Sequence, residues 1–288
     1  MQLRTILCPI DFSDVSAREI DVAAEVARAF GARLVLHHNR TALTPGLGRQ
    51  WDWDATHPSE SYTDADAERH LQNVLASLPA EARGEGLVSA GPLGPAVLAI
   101  AEALPADLVV LGSHGWTSED HASVADRLIR QAPCPVLTFD EHAQASARFR
   151  LAAADGEAAP CVSVPTDFSE TGGHAVAYAL SLAQALPVKV HLLHVLPAAA
   201  GVDATTSAEI RLGGGVPHEL RDRVTVDVRE GDPATEIVAH ATAVGATFIV
   251  LGEHARGFLR SMLTRDTTRA VVHAASCPVW VVPRRTAA

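Results

Sequence analysis

The chain states its fold twice. The segment FIVLGEHARGFLRSMLTRDTTRAVVHAASCPVWVV, residues 248–282, restates LVVLGSHGWTSEDHASVADRLIRQAPCPVLTF, residues 108–139. Each copy reads as an apolar strand, a loop opening Gly-x-His, a helix, and a short strand entered through Cys-Pro-Val. The starts of the halves correspond as well: CPIDFSDVSAREIDVAAEVA from Cys8 answers VPTDFSETGGHAVAYALSLA from Val164, pairing Asp11 with Asp167 and Ser13 with Ser169. The separation is 156 residues here, 140 at the Gly-x-His loops and 143 at Cys134 and Cys277, so the halves differ by insertions and keep their order. A period this long means duplicated domains, not a solenoid.

A length of 288 residues with 48% apolar content suits two domains, each large enough to bury its own core. No apolar run approaches the roughly 20 residues of a membrane helix, and no basic segment followed by an apolar one opens the chain, so a cytoplasmic location and no membrane partner are expected. Cys8, Cys134, Cys161 and Cys277 form no Cys-x-x-Cys pair and three adjoin expected strands, which predicts buried thiols in place of disulfides or zinc ligands. The formal charge of −11 repels a phosphate backbone and no Lys/Arg cluster offsets it, so nucleic acid is not expected as a partner.

In the first half, TILCPI at 5–10 is an apolar run of strand length, and Ser13 or Asp14 can cap a helix whose apolar positions include Ile20, Ala24 and Ala27. Gly31 closes that helix, ARLVLHH supplies a second strand, and 41–61 is a polar, Gly- and Pro-rich loop. A helix over 64–78, a strand near 87–89, a helix over 95–103, the strand 107–112, a last helix and CPVLTF complete the unit. Strands that alternate with helices and lack a polar face indicate a parallel sheet covered on both sides, whose ligands bind outside the carboxyl ends of its strands. The second half repeats the scheme from Pro160, yet 37 positions separate His194 from Gly231 against 53 between His38 and Gly91. With a Gly triplet and a Pro in AAAGVDATTSAEIRLGGGVPHELRD, its second helix is expected to be shortened or lost. The expected division is 1–141, a linker over 142–159, and 160–285.

The Asp ending each first strand (Asp11, Asp167), the histidines ending each second strand (His38, followed by Asn39, and His194), the Gly-Ser-His-Gly and Gly-Glu-His loops and the Cys-Pro-Val entries together resemble the universal stress protein family in its tandem form. The resemblance covers nearly the whole chain. It implies two Rossmann-like α/β domains of the adenine nucleotide alpha hydrolase-like kind, each a mostly parallel five-stranded sheet, paired as an intramolecular pseudo-dimer through Val136–Phe139 and Val279–Val282. It also implies a non-enzymatic stress-response protein. ATP-binding members hold adenine near the first-strand Asp and lay phosphates on a Gly-x-x-Gly loop followed nine residues later by Gly-Ser or Gly-Thr. The first-half positions matching that site are Asp11, Ser13, His38, Asn39, Gly112, His114, Gly115 and Ser123, with Ala122-Ser123 as counterpart of the Gly-Ser pair.

The chain departs from the pattern in both halves. After Gly252 and His254 the second glycine is Ala255, and Arg265-Asp266 stands where Gly-Ser belongs. A carboxylate about 4 Å from a phosphate charge costs about 4 kcal/mol at an effective dielectric near 20, so the second site, Asp167 with Gly252, His254 and Asp266, is expected to be degenerate. In the first half six residues separate Gly115 from Ala122, three fewer than the pattern, and Glu119 and Asp120 add negative charge. No cofactor is required; ATP is admitted in the first half alone.

Plainer roles stand beside these. Asp11 and Asp167 can cap the helices that follow, Gly112 and Gly252 can serve a tight turn, and Ser123 can be an N-cap. The topology brings His37, His38, His114 and His121 near Asp11 and Asp14, but no metal-binding spacing occurs among them and no metal site is assigned. Trp51 and Trp53 lie in the long loop, where packing on their own domain is favoured over ligand contact. No P-loop, nucleophile elbow or nucleophile-base pair supports catalysis. The competing reading to a nucleotide-binding stress protein is a ligand-independent module acting through protein partners, or through further homodimerisation.

Overall fold

The computed structural model describes residues 1–12, 14–40, 63–82, 84–112, 119–139, 149–152, 158–253 and 267–284, the side chains of 14, 15 and 119–123 excepted. Trp51 and Trp53 lie outside this set. The first half runs β1 (Thr5–Ile10), α1 (Asp14–Phe30), β2 (Arg33–Asn39), α2 (Asp64–Ser77), β3 (Glu85–Ser89), α3 (Leu93–Ala103), β4 (Leu108–Gly112), α4 (Glu119–Gln131) and β5 (Val136–Phe139). The second runs β6 (Cys161–Pro165), α5 (Glu170–Ala185), β7 (Lys189–Leu196), α6 (Val202–Gly214), β8 (Val224–Glu230), α7 (Pro233–Ala243), β9 (Phe248–Gly252), α8 (Thr267–Ala274) and β10 (Val279–Val282).

Two compact units result, residues 3–134 and residues 135–288 together with 1–2. In the first, strands lie in the order β3-β2-β1-β4, all parallel. In the second the order is β5-β10-β9-β6-β7-β8, parallel except where β5 runs antiparallel to β10. The strand that closes the first half by sequence thus folds with the second, and Val136–Phe139 meets Val279–Val282 in the pairing that the resemblance implied. Every residue of β1, β5, β6, β9 and β10 is buried, as continuous apolar strands in a parallel core demand.

Local chemistry sets the helix ends. Gly31 takes φ +63° after α1, and the Ala32 N–H reaches back to the Ala27 carbonyl at 2.8 Å, a turn that glycine forms at low cost. Thr63 caps α2 in a reciprocal box: its Oγ1 accepts from the Asp66 N–H at 3.3 Å, and Asp66 Oδ2 accepts from the Thr63 N–H at 3.0 Å. Thr63→Ala is expected to lower the unfolding free energy by about 1 kcal/mol, read as a drop in urea midpoint at constant m-value.

The helix expected to be shortened or lost is present. Helix α6 spans 13 residues against 14 for α2. Gly213 and Gly214 end it and Gly215 caps it, so the triplet terminates a helix without interrupting one, and Pro217 lies beyond. The missing length is in the preceding connection, residues 197–201 against 40–63. All four cysteines are free and buried, and burial pushes Cys134 and Cys277 up to about 12 and Cys161 to about 11, so these thiols are inert. Among the described residues no helix is long and apolar enough to cross a membrane.

Candidate functional site

In the first unit the strand order reverses between β1 and β4, and the crevice outside the carboxyl ends of those strands is where such sheets bind ligands. Asp11 follows β1 and Gly112 ends β4. Asp11 is 7% exposed and bonded to α1: Ser16 Oγ accepts from the Asp11 N–H at 2.9 Å and donates to Asp11 Oδ1 at 2.5 Å. Its partner lies within the first turn of α1, so Asp11 locks the strand to the helix and is not the residue at the N-cap. The Gly112 N–H is bound at 2.6 Å by Oε1 of Glu19, a residue of α1 that the sequence reading did not single out. Glu19 is 3% exposed. Burial lifts its pKa to about 8; the Gly112 N–H and Ser16 pull downward and the Asp11 charge pushes further up. At neutral pH Glu19 is therefore chiefly a neutral acid lying across the crevice.

The turn leaving β1 holds a second unforeseen residue. Phe12 has φ +64°, a conformation that costs a bulky residue free energy and concentrates at functional turns. Its ring packs against His38 at 4.5 Å between centroids and meets the His70 ring edge-on at 5.5 Å. His38 donates from Nδ1 to the Ile10 carbonyl at 3.1 Å, and burial lowers its pKa, which favours the neutral ring. Asn39 is buried with its amide donating to Ser89 Oγ at 3.2 Å, and His37 Nε2 lies 2.7 Å from the same hydroxyl. Asp11, His38 and Gly112 therefore gather at one end of the sheet, while Asn39 turns toward β3. Ser123 lies within α4, four residues past its start, and so is no N-cap. Ser13, His114 and Gly115 lie outside the described residues, as does the side chain of His121.

The second half repeats the aromatic pair without the acid. Phe168 has φ +62° and packs on His194 at 4.3 Å, with the same 35° tilt as the first pair, and the Arg211 guanidinium sits 4.1 Å over the Phe168 ring. His194 donates from Nδ1 to the Thr166 carbonyl at 2.7 Å, as His38 does to Ile10. Ala175 and Gly172 stand where the first half has Glu19 and Ser16. A Cβ at Gly172 would fall 2.8 Å from Asp167 Oδ1, so a serine cannot fit there unaltered. Asp167, exposed, instead accepts from the Ser169 N–H at 2.9 Å, and Ser169 is the N-cap of α5. Gly252 has a packing role: a Cβ there would lie 2.4 Å from the Thr171 carbonyl. His254 and Asp266 lie outside the described residues. The recurrence of Asp-Phe-Ser in both halves was the available signal for the phenylalanines; for Glu19 it was the mismatch with Ala175.

Comparison with known proteins agrees with this architecture. The universal stress protein family profile matches residues 2–139 and again 162–283. A universal stress protein of Thermus aquaticus is 31% identical over 137 residues, 46% of this chain and 96% of its own, and one from Mycobacterium tuberculosis is 32% identical over 194 residues, 61% of each chain. The crystal structure of a universal stress protein from Archaeoglobus fulgidus superposes with a TM-score of 0.70 at 19% identity, covering 98% of this chain and 97% of that one, a likeness of fold. With the profile matched twice, and each match carrying an Asp-Phe-Ser turn whose phenylalanine packs on the histidine of the second strand, the chain belongs to the universal stress protein family as a tandem of two such domains.

Proposed function

We propose that the protein is a non-enzymatic stress-response protein of the cytoplasm whose first half takes up an adenine nucleotide weakly, its second half serving as a structural partner. The observation that carries this reading is the β1/β4 crevice, where Asp11 and Gly112 flank the point at which the strand order reverses. On this reading Asp11, Ser13 and His38 serve adenine and ribose, the backbone at Gly112, His114 and Gly115 serves phosphate and Ser123 serves the terminal phosphate, while Asn39, bonded to Ser89, braces the end of the second strand. Glu19 makes binding weak, since a phosphate must displace it from the Gly112 N–H. The second half lacks a second loop glycine and carries Asp266 at the phosphate position.

Titration of ATP into the full chain, with and without Mg2+, is expected to give about one equivalent with a Kd on the order of 0.1–1 mM, roughly 4–5.5 kcal/mol of binding, and none in Gly115→Val. Absence of both heat and thermal shift at millimolar ATP would hand the protein to a second reading, a ligand-independent module acting through protein partners. The Glu19 contact favours that alternative, because it satisfies the Gly112 N–H with no ligand present.

A further inference from the structure

Among the strands of the second unit, away from their carboxyl ends, three chemistry-bearing side chains converge from three elements. His191 on β7, Asp227 on β8 and His240 on α7 each bring one ligand-capable atom, and these atoms all lie within 4.8 Å of one another. Asp227 Oδ2 is the hub, 3.2 Å from His191 Nδ1 and 3.3 Å from His240 Nε2. The remote nitrogen of His240, Nδ1, lies 3.0 Å from Ser163 Oγ on β6. His240 is 1% exposed, whereas the side chains of His191 and Asp227 are 21% and 36% exposed, which leaves the group open to solvent on one side.

The repeat supplies a control for what this sheet needs in order to fold. Strand register and the matched helices place Leu7, Val35, Leu87 and Ile100 of the first half where Ser163, His191, Asp227 and His240 stand in the second. The same fold thus forms with four apolar residues at these positions. Burying a histidine against a carboxylate is costly in comparison, and packing does not require it.

We propose that Ser163, His191, Asp227 and His240 form a site for a late first-row divalent cation such as Zn2+. Two imidazoles and one carboxylate are a ligand set for that class; Mg2+ and Ca2+ take oxygen. Bond lengths near 2.0–2.1 Å in a tetrahedral site put neighbouring ligand atoms about 3.3 Å apart, the spacing that Asp227 already holds to both rings. The metal-free trio is satisfied when His191 donates from Nδ1 and His240 from Nε2 to Asp227, with the Ser163 hydroxyl donating to His240 Nδ1. An ion takes the place of the two shared protons, both rings change tautomer, and Ser163 reverses its role to accept from the Nδ1–H of His240, orienting it as a second-sphere partner. The fourth position, on the exposed side, is left to water.

Zn2+ titrated into the full chain in a non-chelating buffer is expected to give one equivalent that falls at least 100-fold in affinity in H191A/D227N, and Co2+ is expected to give visible d–d absorption that this variant lacks. Ser163→Ala is expected to weaken binding 10–100-fold. A second variant installs the apolar side chains of the twin, H191V/D227L/H240I, and separates binding from folding: the circular dichroism spectrum is expected to be unchanged and the equivalent gone. Absence of Zn2+ binding to the unaltered chain, or an equivalent that persists in either multiple variant, overturns the site.

Discussion

Trp280→Ala is expected to lower the unfolding free energy by about 3–5 kcal/mol, measured from urea denaturation followed by circular dichroism. Trp280 is completely buried on β10, in register with Leu137 of β5 on one side and Val250 of β9 on the other. Its ring lies 5.5 Å from Phe248 and 5.8 Å from Tyr178 between centroids. Truncation leaves a cavity at the antiparallel junction of β5 with β10, where neighbours on both strands are held by ladder bonds and cannot collapse inward. The indole Nε1 has no acceptor among the described residues, so Trp280→Phe removes an unpaired buried donor as it removes volume. That variant is expected to lose less than about 1.5 kcal/mol. Equal losses in the two variants would show that ring volume does not decide the stability of this junction.

The second large effect is a dependence on pH set by Glu19. A carboxyl whose pKa rises from 4.5 to about 8 on folding holds a proton in the native chain that the unfolded chain releases. Its contribution is complete below 4.5 and is lost as pH rises through about 8, so stability falls with increasing pH across that window. His37 has the opposite sign: burial lowers it from 6.5 to about 4, so its contribution is lost on acidification within that interval. Between pH 6.5 and 8 the Glu19 slope is the one that the described residues contribute, and it amounts to about 2 kcal/mol. Glu19→Gln keeps an acceptor for the Gly112 N–H and removes the titration. It is expected to flatten the profile over that range and to exceed the unaltered protein in stability at pH 8. A parallel decline in both proteins would mean that Glu19 is ionised in the folded state.

The duplication made most of the fold legible, because each weak local signal occurs twice in one order. Continuous apolar runs identified β1, β4, β6 and β9, and the Cys-Pro-Val entries located β5 and β10. Helix α6 was misjudged because the glycine triplet was weighed as a breaker, when it forms the last residues and the C-cap of the helix, with Gly215 still in right-handed backbone geometry. Residues at strand ends, Asp11, His38 and Gly112, could be placed at the crevice from topology alone. Glu19 could not, since a carboxylate one helix turn from Ser16 reads as part of a solvated face, and only the register of α1 against β4 buries it. His191, Asp227 and His240 come from a strand, an edge strand and a helix, with no spacing between them that marks a shared purpose.

The antiparallel union of β5 with β10 imposes an order of events on synthesis. Residues 136–139 leave the ribosome about 140 residues before the strand they pair with. At 5–20 residues per second, β5 waits for roughly 7–30 s with the hydrogen-bonding edge meant for β10 unpaired. Its four residues are apolar or β-branched, the composition by which nascent chains recruit a neighbour's strand, and two chains on one polysome each offer the same edge. Tethering the complementary strand to the same polypeptide gives the intramolecular partner a concentration that no second chain matches once it emerges, so the tandem arrangement limits the time in which the chain can be captured by another copy.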